Sequence, residues 1–172
     1  MRRHISMLAA GLFAAGTVVT GGIASAGTTA AHHQTSCIGG NFFHVVKSHV
    51  SYFLGTPNNT FSGAAAILKP SENGSTAWTE CIPAGSNDSV VLENRGLALT
   101  SRSSSSGANV TLETPGNDGN GFASQQWFPN AAGPMIVFEN IKTGLSLRVR
   151  NGGPVTGQTV TTGTKFTVWL MF

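Results

Sequence analysis

"FASQQWF", residues 122–128, sets a glutamine, Gln125, two residues before a tryptophan, Trp127. The other two tryptophans, Trp78 and Trp169, lie 49 residues before it and 42 residues after it. Spacing near 45 residues calls for a search for internal repeats. The same ordered context precedes each tryptophan. Leu97-Ala98-Leu99 in the middle segment corresponds to Tyr52-Phe53-Leu54 in the first and Leu145-Ser146-Leu147 in the last. A polar loop and a glycine follow each, at Gly63, Gly107 and Gly157. Then come another apolar-alternating run, a variable loop and the tryptophan. The second and third copies also share Glu93-Asn94 and Glu139-Asn140 ahead of their first hairpins.

The runs inside these copies are short and β-like. "VVLE", "LALTS", "NVTLET", "MIVFEN", "LSLRVR" and "QTVTTGT" alternate Val, Thr, Leu and Phe with polar residues, and turn residues interrupt them every 8–12 positions. No window sustains a 3.6-residue apolar period, and the alanine run Ala64–Ala66 is confined between Gly63 and Pro70. The class is therefore all-β. A strand–hairpin–strand unit of this size cannot bury its apolar face alone. Three such units closing on one another predict a β-trefoil, a six-stranded barrel capped by three hairpins, and closure removes exposed sheet edges. Trp78, Trp127 and Trp169 then become equivalent structural core residues. Gln125 is expected to cap a nearby backbone group, with the hydroxyls of Thr76 and Thr167 standing in where glutamine is missing.

The first 26 residues read as a signal peptide: Arg2-Arg3, a mostly apolar stretch Ile5–Val19 too short to span a bilayer, and Ala24-Ser25-Ala26 as the cleavage site. Residues 27–36 read as a flexible leader and 37–172 as one domain, extracellular and free of the membrane after cleavage. Loss of Arg2 and Arg3 lowers the net charge from +3 to +1. A nearly neutral domain argues against nucleic-acid binding, which depends on clustered Lys and Arg. Two cysteines in an exported chain, Cys37 and Cys81, predict one disulfide.

The sequence offers no catalytic constellation, and we expect no enzyme, no metal and no cofactor. There is no nucleophile elbow, and "SRSSSSG" at 101–107 reads as a hairpin loop. His44 and His49 sit in the first β segment, five apart, which places them on opposite faces of an extended strand. The carboxylates are scattered rather than paired as in a glycosidase. "NDGNG" at 117–121 reads as a turn with too few ligands for calcium.

Gln125-Gln126-Trp127, a Q-x-W motif, with its echoes Thr76-Ala77-Trp78 and Thr167-Val168-Trp169, resembles the ricin B-type lectin family of β-trefoils. The "GLALTS" and "GLSLRV" strands add to the likeness, which covers about residues 40–172. A signal peptide before a small trefoil also resembles secreted actinobacterial proteins. The resemblance implies carbohydrate binding, often of galactose-type sugars. The family's pocket uses an Asp after the "GLxL" strand, an aromatic on the next hairpin and an Asn beside the motif. Here the Asp position falls on Gly55, Thr100 and Arg148. The aromatic position falls near Pro70, Glu113 and Thr162 or Gly163. The Asn position falls on Ser75, Ser124 and Phe166.

No copy keeps the set. The second copy leaves Thr100, Glu113 and Ser124 as polar ligand contacts. Arg148 and Arg150 in the third favour an anionic group such as a uronic acid or sulfate. Two functions follow. One is a secreted carbohydrate-binding module with an altered or degenerate sugar pocket, its partner a glycan or polysaccharide. The other is a non-lectin trefoil that binds a secreted or host protein, as a protease inhibitor or toxin-like partner would. Hairpin loops that are polar and almost free of aromatics weaken the first.

Overall fold

The structure is a computed structural model describing residues 36–86, 88–116 and 121–172. The signal peptide, the leader as far as residue 35 and residues 117–120 of the turn cluster lie outside the described residues. Strand β1 (Ser36–Asn41) comes first. The first repeat holds β2 (Phe43–Lys47), β3 (Val50–Gly55), β4 (Ile67–Lys69) and β5 (Trp78–Ile82). The second holds β6 (Val90–Asn94), β7 (Leu97–Thr100), β8 (Thr111–Glu113) and β9 (Gln126–Ala132). The third holds β10 (Met135–Asn140), β11 (Ser146–Arg148), β12 (Thr161–Gly163) and β13 (Trp169–Met171).

Antiparallel pairing runs β1–β5–β6–β9–β10–β13–β2. Only Phe42 separates β1 from β2, so this path closes on itself as a six-stranded barrel. Asn41, Val90 and Ile136 pair with Trp78, Trp127 and Trp169, one pairing per repeat. The remaining strands, β3–β4, β7–β8 and β11–β12, form three hairpins across one end. The fold is a β-trefoil.

The repeated positions carry the threefold geometry. All three tryptophans are fully buried. Their indole N–H groups donate to Leu54 O at 2.9 Å, Leu99 O at 2.9 Å and Leu147 O at 3.3 Å, so each indole fills the core with its one polar atom satisfied. Phe43, Leu92 and Phe138 form a second fully buried set. At the cap, Ala66 N donates to Val110 O at 2.9 Å, Val110 N to Val160 O at 3.0 Å and Val160 N to Ala66 O at 2.9 Å. This cyclic triangle marks the pseudo-threefold axis. Around it Gly63, Gly107 and Gly157 donate their amides to Leu112, Thr162 and Leu68. Each of these glycines has a positive φ, between 78° and 97°, which explains why the same residue recurs there.

The shared Asn94 and Asn140 stitch successive repeats. Asn94 Nδ2 donates to Ala77 O at 2.6 Å and Asn140 Nδ2 to Gln126 O at 3.2 Å, each gripping the middle residue of the preceding repeat's tryptophan motif. The Ala64–Ala66 run leads into β4 and joins the cap, with Ala65 bridging Thr111.

The two histidines do not share a strand. Ser48 and His49 form the β2–β3 turn with φ of 50° and 67°, so the chain reverses between His44 and His49. His44 is buried and stacks on Phe172, ring centroids 4.5 Å apart. Burial pushes its imidazole below the ordinary value, against the field of Glu72 and a hydrogen bond with the Leu170 backbone.

The third hairpin departs from the pattern. Leu68 pairs with Leu54 and Leu112 with Leu99, but Leu147 pairs with Thr162. The Thr162 hydroxyl is buried and has no hydrogen-bond partner among the described residues. Thr162→Val keeps the shape and removes the unmet hydroxyl, so it is expected to stabilise the fold by about 1 kcal/mol. A urea titration would show this as a higher midpoint at unchanged slope; a lower midpoint would mean that the hydroxyl is bonded after all.

Candidate functional site

The pairing confirms that Gly55, Thr100 and Arg148 are equivalent, each following the leucine that holds an indole. At the hairpin position it aligns Lys69, Glu113 and Gly163, placing Lys69 rather than Pro70 in the first repeat. The three repeats treat this common ground differently.

In the first repeat the ground is filled. A Cβ at Gly55 would lie 2.9 Å from Lys69 Cγ, 2.9 Å from Thr76 Cγ2 and 3.0 Å from the Ser75 carbonyl oxygen. Ser75 is buried and its hydroxyl is bonded to Asn73 Oδ1 at 2.5 Å. A side chain long enough to reach a ligand has no room here.

In the second repeat Gln125 organises the site. Its Oε1 accepts from Gly116 N at 3.0 Å and Phe122 N at 3.1 Å, and its Nε2 donates to Thr114 O at 3.0 Å. Both ends of the loop between β8 and β9 are thereby tied to one fully buried amide. Thr76 and Thr167 do smaller versions of this work: Thr76 Oγ1 accepts from Asn73 N at 2.8 Å and Thr167 Oγ1 from Val149 N at 3.0 Å.

Thr100 is completely buried, its hydroxyl donating to Ala98 O at 2.9 Å and lying 3.4 Å from Gln125 Nε2. It supports the glutamine from below. The Glu113 carboxylate receives a fork of hydrogen bonds from Arg102, with Arg102 Nε at 2.8 Å from both oxygens, and another from Thr111 Oγ1 at 2.9 Å. Those bonds, the Arg102 pairing first, hold the Glu113 carboxyl below the usual carboxylate range.

Beside this pair opens a cleft of about 400 Å³, lined by Arg102, Phe122, Ala123, Ser124 and Lys142. Ser124 is thus brought to the cleft, Glu113 is coupled to it through Arg102, and Thr100 lies beneath it. Phe122 is 51% exposed. Its ring packs over Gly116, where an added Cβ would come within 2.1 Å of Phe122 Cε2. The Arg102–Glu113 pair, Lys142 and an aromatic face therefore border one shallow cleft. Exposed aromatics do occur around the repeats: Phe61 in the β3–β4 hairpin, Phe122 between β8 and β9 and Phe166 between β12 and β13. No repeat or motif in the sequence singles out Arg102, Phe122 or Lys142. The available signal was Phe122 itself, three residues before the glutamine that fixes its backbone.

In the third repeat residue 163 is a glycine, and the Arg148 side chain lies against it. A Cβ at residue 163 would lie 2.5 Å from Arg148 Cδ. Phe166, at the Asn position, is exposed. Among the described residues no three His, Cys, Asp or Glu side chains gather as a metal site requires.

No protein-family model matches the chain, and no curated protein does. Its likenesses are to solved structures. A designed three-fold symmetric protein, ThreeFoil, aligns with a TM-score of 0.63 and 21% identity, over 76% of this chain and 96% of that one. A Polyporus squamosus lectin, solved with the epitope Neu5Aca2-6Galb1-4GlcNAc, aligns with a TM-score of 0.59 and 18% identity, over 77% of this chain and 48% of its own. A Haemophilus ducreyi cytolethal distending toxin aligns with a TM-score of 0.58 and 11% identity, over 76% of this chain and 81% of that one. What these structures share with this chain is the β-trefoil fold.

Proposed function

We propose that this chain is a secreted carbohydrate-binding module of the ricin B-like type, acting by binding rather than catalysis through a pocket altered from the family's. The disulfide and the absence, among the described residues, of a helix long and apolar enough to cross a membrane are compatible with export. The observation that carries the reading is the cleft of the second repeat. A pyranose has one face of C–H groups that stacks on an aromatic ring, while its hydroxyls need fixed polar partners. Phe122 supplies the face; Arg102, Lys142 and Ser124 supply the partners. The family's Asp is absent here, and because Arg102 is already paired with Glu113, Lys142 is the cation the cleft leaves to a sugar carboxylate or sulfate. The lectin neighbour, solved with a Neu5Ac-containing epitope, supports a trefoil's capacity for such sugars.

A glycan array that includes acidic and polymeric glycans, probed with the mature chain, should give a saturable ligand. Phe122→Ala should weaken that ligand about tenfold, roughly 1.4 kcal/mol. Unchanged affinity in both Phe122→Ala and Lys142→Gln would remove the cleft from consideration. A silent array with folded protein would favour the protein-interaction reading. Phe61 and Val155, 65% and 56% exposed at matching turns of the first and third hairpins, are the surface to test for it.

A further inference from the structure

A second cleft, of about 340 Å³, is lined by Ser106, Gly107, Arg148, Arg150, Asn151 and Thr161. It brings the loop of the second hairpin against the base of the third. Arg148 and Arg150 are two apart where β11 ends, so the extended chain projects them to the same side. Each is held by a neutral oxygen: Arg148 Nη2 donates to Asn151 Oδ1 at 2.6 Å and Arg150 Nη2 to Asn109 Oδ1 at 2.9 Å. Asn109 Oδ1 also accepts from Thr159 Oγ1 at 3.2 Å, which fixes the amide that orients Arg150. An amide oxygen positions a guanidinium without neutralising it. Among the described residues the one ion pair joins Arg102 to Glu113, so neither Arg148 nor Arg150 meets a carboxylate.

Two further features belong to a site rather than to a solvated strand face. Gly163 makes room for the Arg148 side chain against β12; a Cβ there would lie 2.7 Å from Nη1. Thr161, also lining the cleft, holds a buried hydroxyl with no partner among the described residues. Two steered, uncompensated guanidiniums beside an unmet donor make a receptor for an oxyanion, because the planar fork of Arg matches two oxygens at once.

We propose that this cleft binds the anionic substituent of an acidic polysaccharide, a sulfate ester or a uronate carboxylate, between Arg148 and Arg150. The site shares no residue with the Phe122 cleft, so loss of either leaves the other testable.

The test is equilibrium binding of the mature chain to dextran sulfate, to polygalacturonate and to neutral dextran. At least one polyanion should bind saturably and weaken steeply with added salt, and neutral dextran should compete for neither. Preference between the two polyanions assigns the substituent. Arg148→Gln and Arg150→Gln should each lower affinity tenfold or more, while Lys69→Gln, which also removes one positive charge, should leave it unchanged. Undiminished affinity in the Arg148→Gln/Arg150→Gln double variant, or no saturable binding to either polyanion, would overturn the proposal.

Discussion

Trp127→Ala should lower the free energy of unfolding by about 3–5 kcal/mol. The indole is wholly buried in the main core cluster, and its ladder partner Val90 and hydrogen-bond partner Leu99 sit in paired strands that cannot collapse into the space. The substitution also leaves Leu99 O without its donor. A domain stable by about 5–15 kcal/mol spends a large part of its margin on one such change. Trp127→Phe separates the two losses, since it keeps most of the apolar contact and removes only the N–H. Its expected cost is smaller, about 1–3 kcal/mol. Urea unfolding followed by far-UV circular dichroism measures both. A loss below about 1 kcal/mol for Trp127→Ala would contradict the placement of this indole in the core.

The second large effect concerns the disulfide. Cys37 and Cys81 face each other across β1 and β5, with Cα atoms 4.0 Å apart, and close a loop of 44 residues. Chain-entropy arguments give about 4 kcal/mol for a loop of that length. Strand β1 buries little: Ser36–Gly40 are exposed, and the strand is held by its ladder to β5, by the Asn41 Nδ2 to Glu80 Oε1 hydrogen bond and by this disulfide. The Cys37→Ala/Cys81→Ala double variant should therefore lose about 2–4 kcal/mol and, before global unfolding, lose amide protection across β1. Alanine is the right replacement because Cys81 packs with Val91 and Ala98, where a serine hydroxyl would be buried without need. Full retention of β1 protection in the double variant would show that the ladder alone suffices.

What was legible in the sequence is what the threefold barrel must repeat. Leu54, Leu99 and Leu147 recur because each carbonyl receives an indole. Gly63, Gly107 and Gly157 recur because the segment that leads into each cap strand starts from a positive φ. Asn94 and Asn140 recur because each clamps the motif before it. These constraints act at fixed offsets, so they survive as pattern. The turn at Ser48-His49 was illegible because neither residue advertises a positive φ, whereas the matching Arg95-Gly96 does. Strand β1 has no buried face and so no alternation to read. The Arg102–Glu113 pair and the Phe122 cleft depend on which loops the closed barrel brings together, and residue spacing does not record that. Thr162 breaks the pattern at a position where the other two copies place leucine.

The triangle of amides joining Ala66, Val110 and Val160 also bears on how fast the chain can fold. Each side of the triangle links a different pair of repeats, and the last joins Val160 to Ala66 across most of the domain. No single repeat, nor any two, can complete it. Loop-closure entropy must be met before the ring returns any enthalpy, which is the signature of high contact order. Folding should accordingly take milliseconds to seconds, with the axis among the last features to lock.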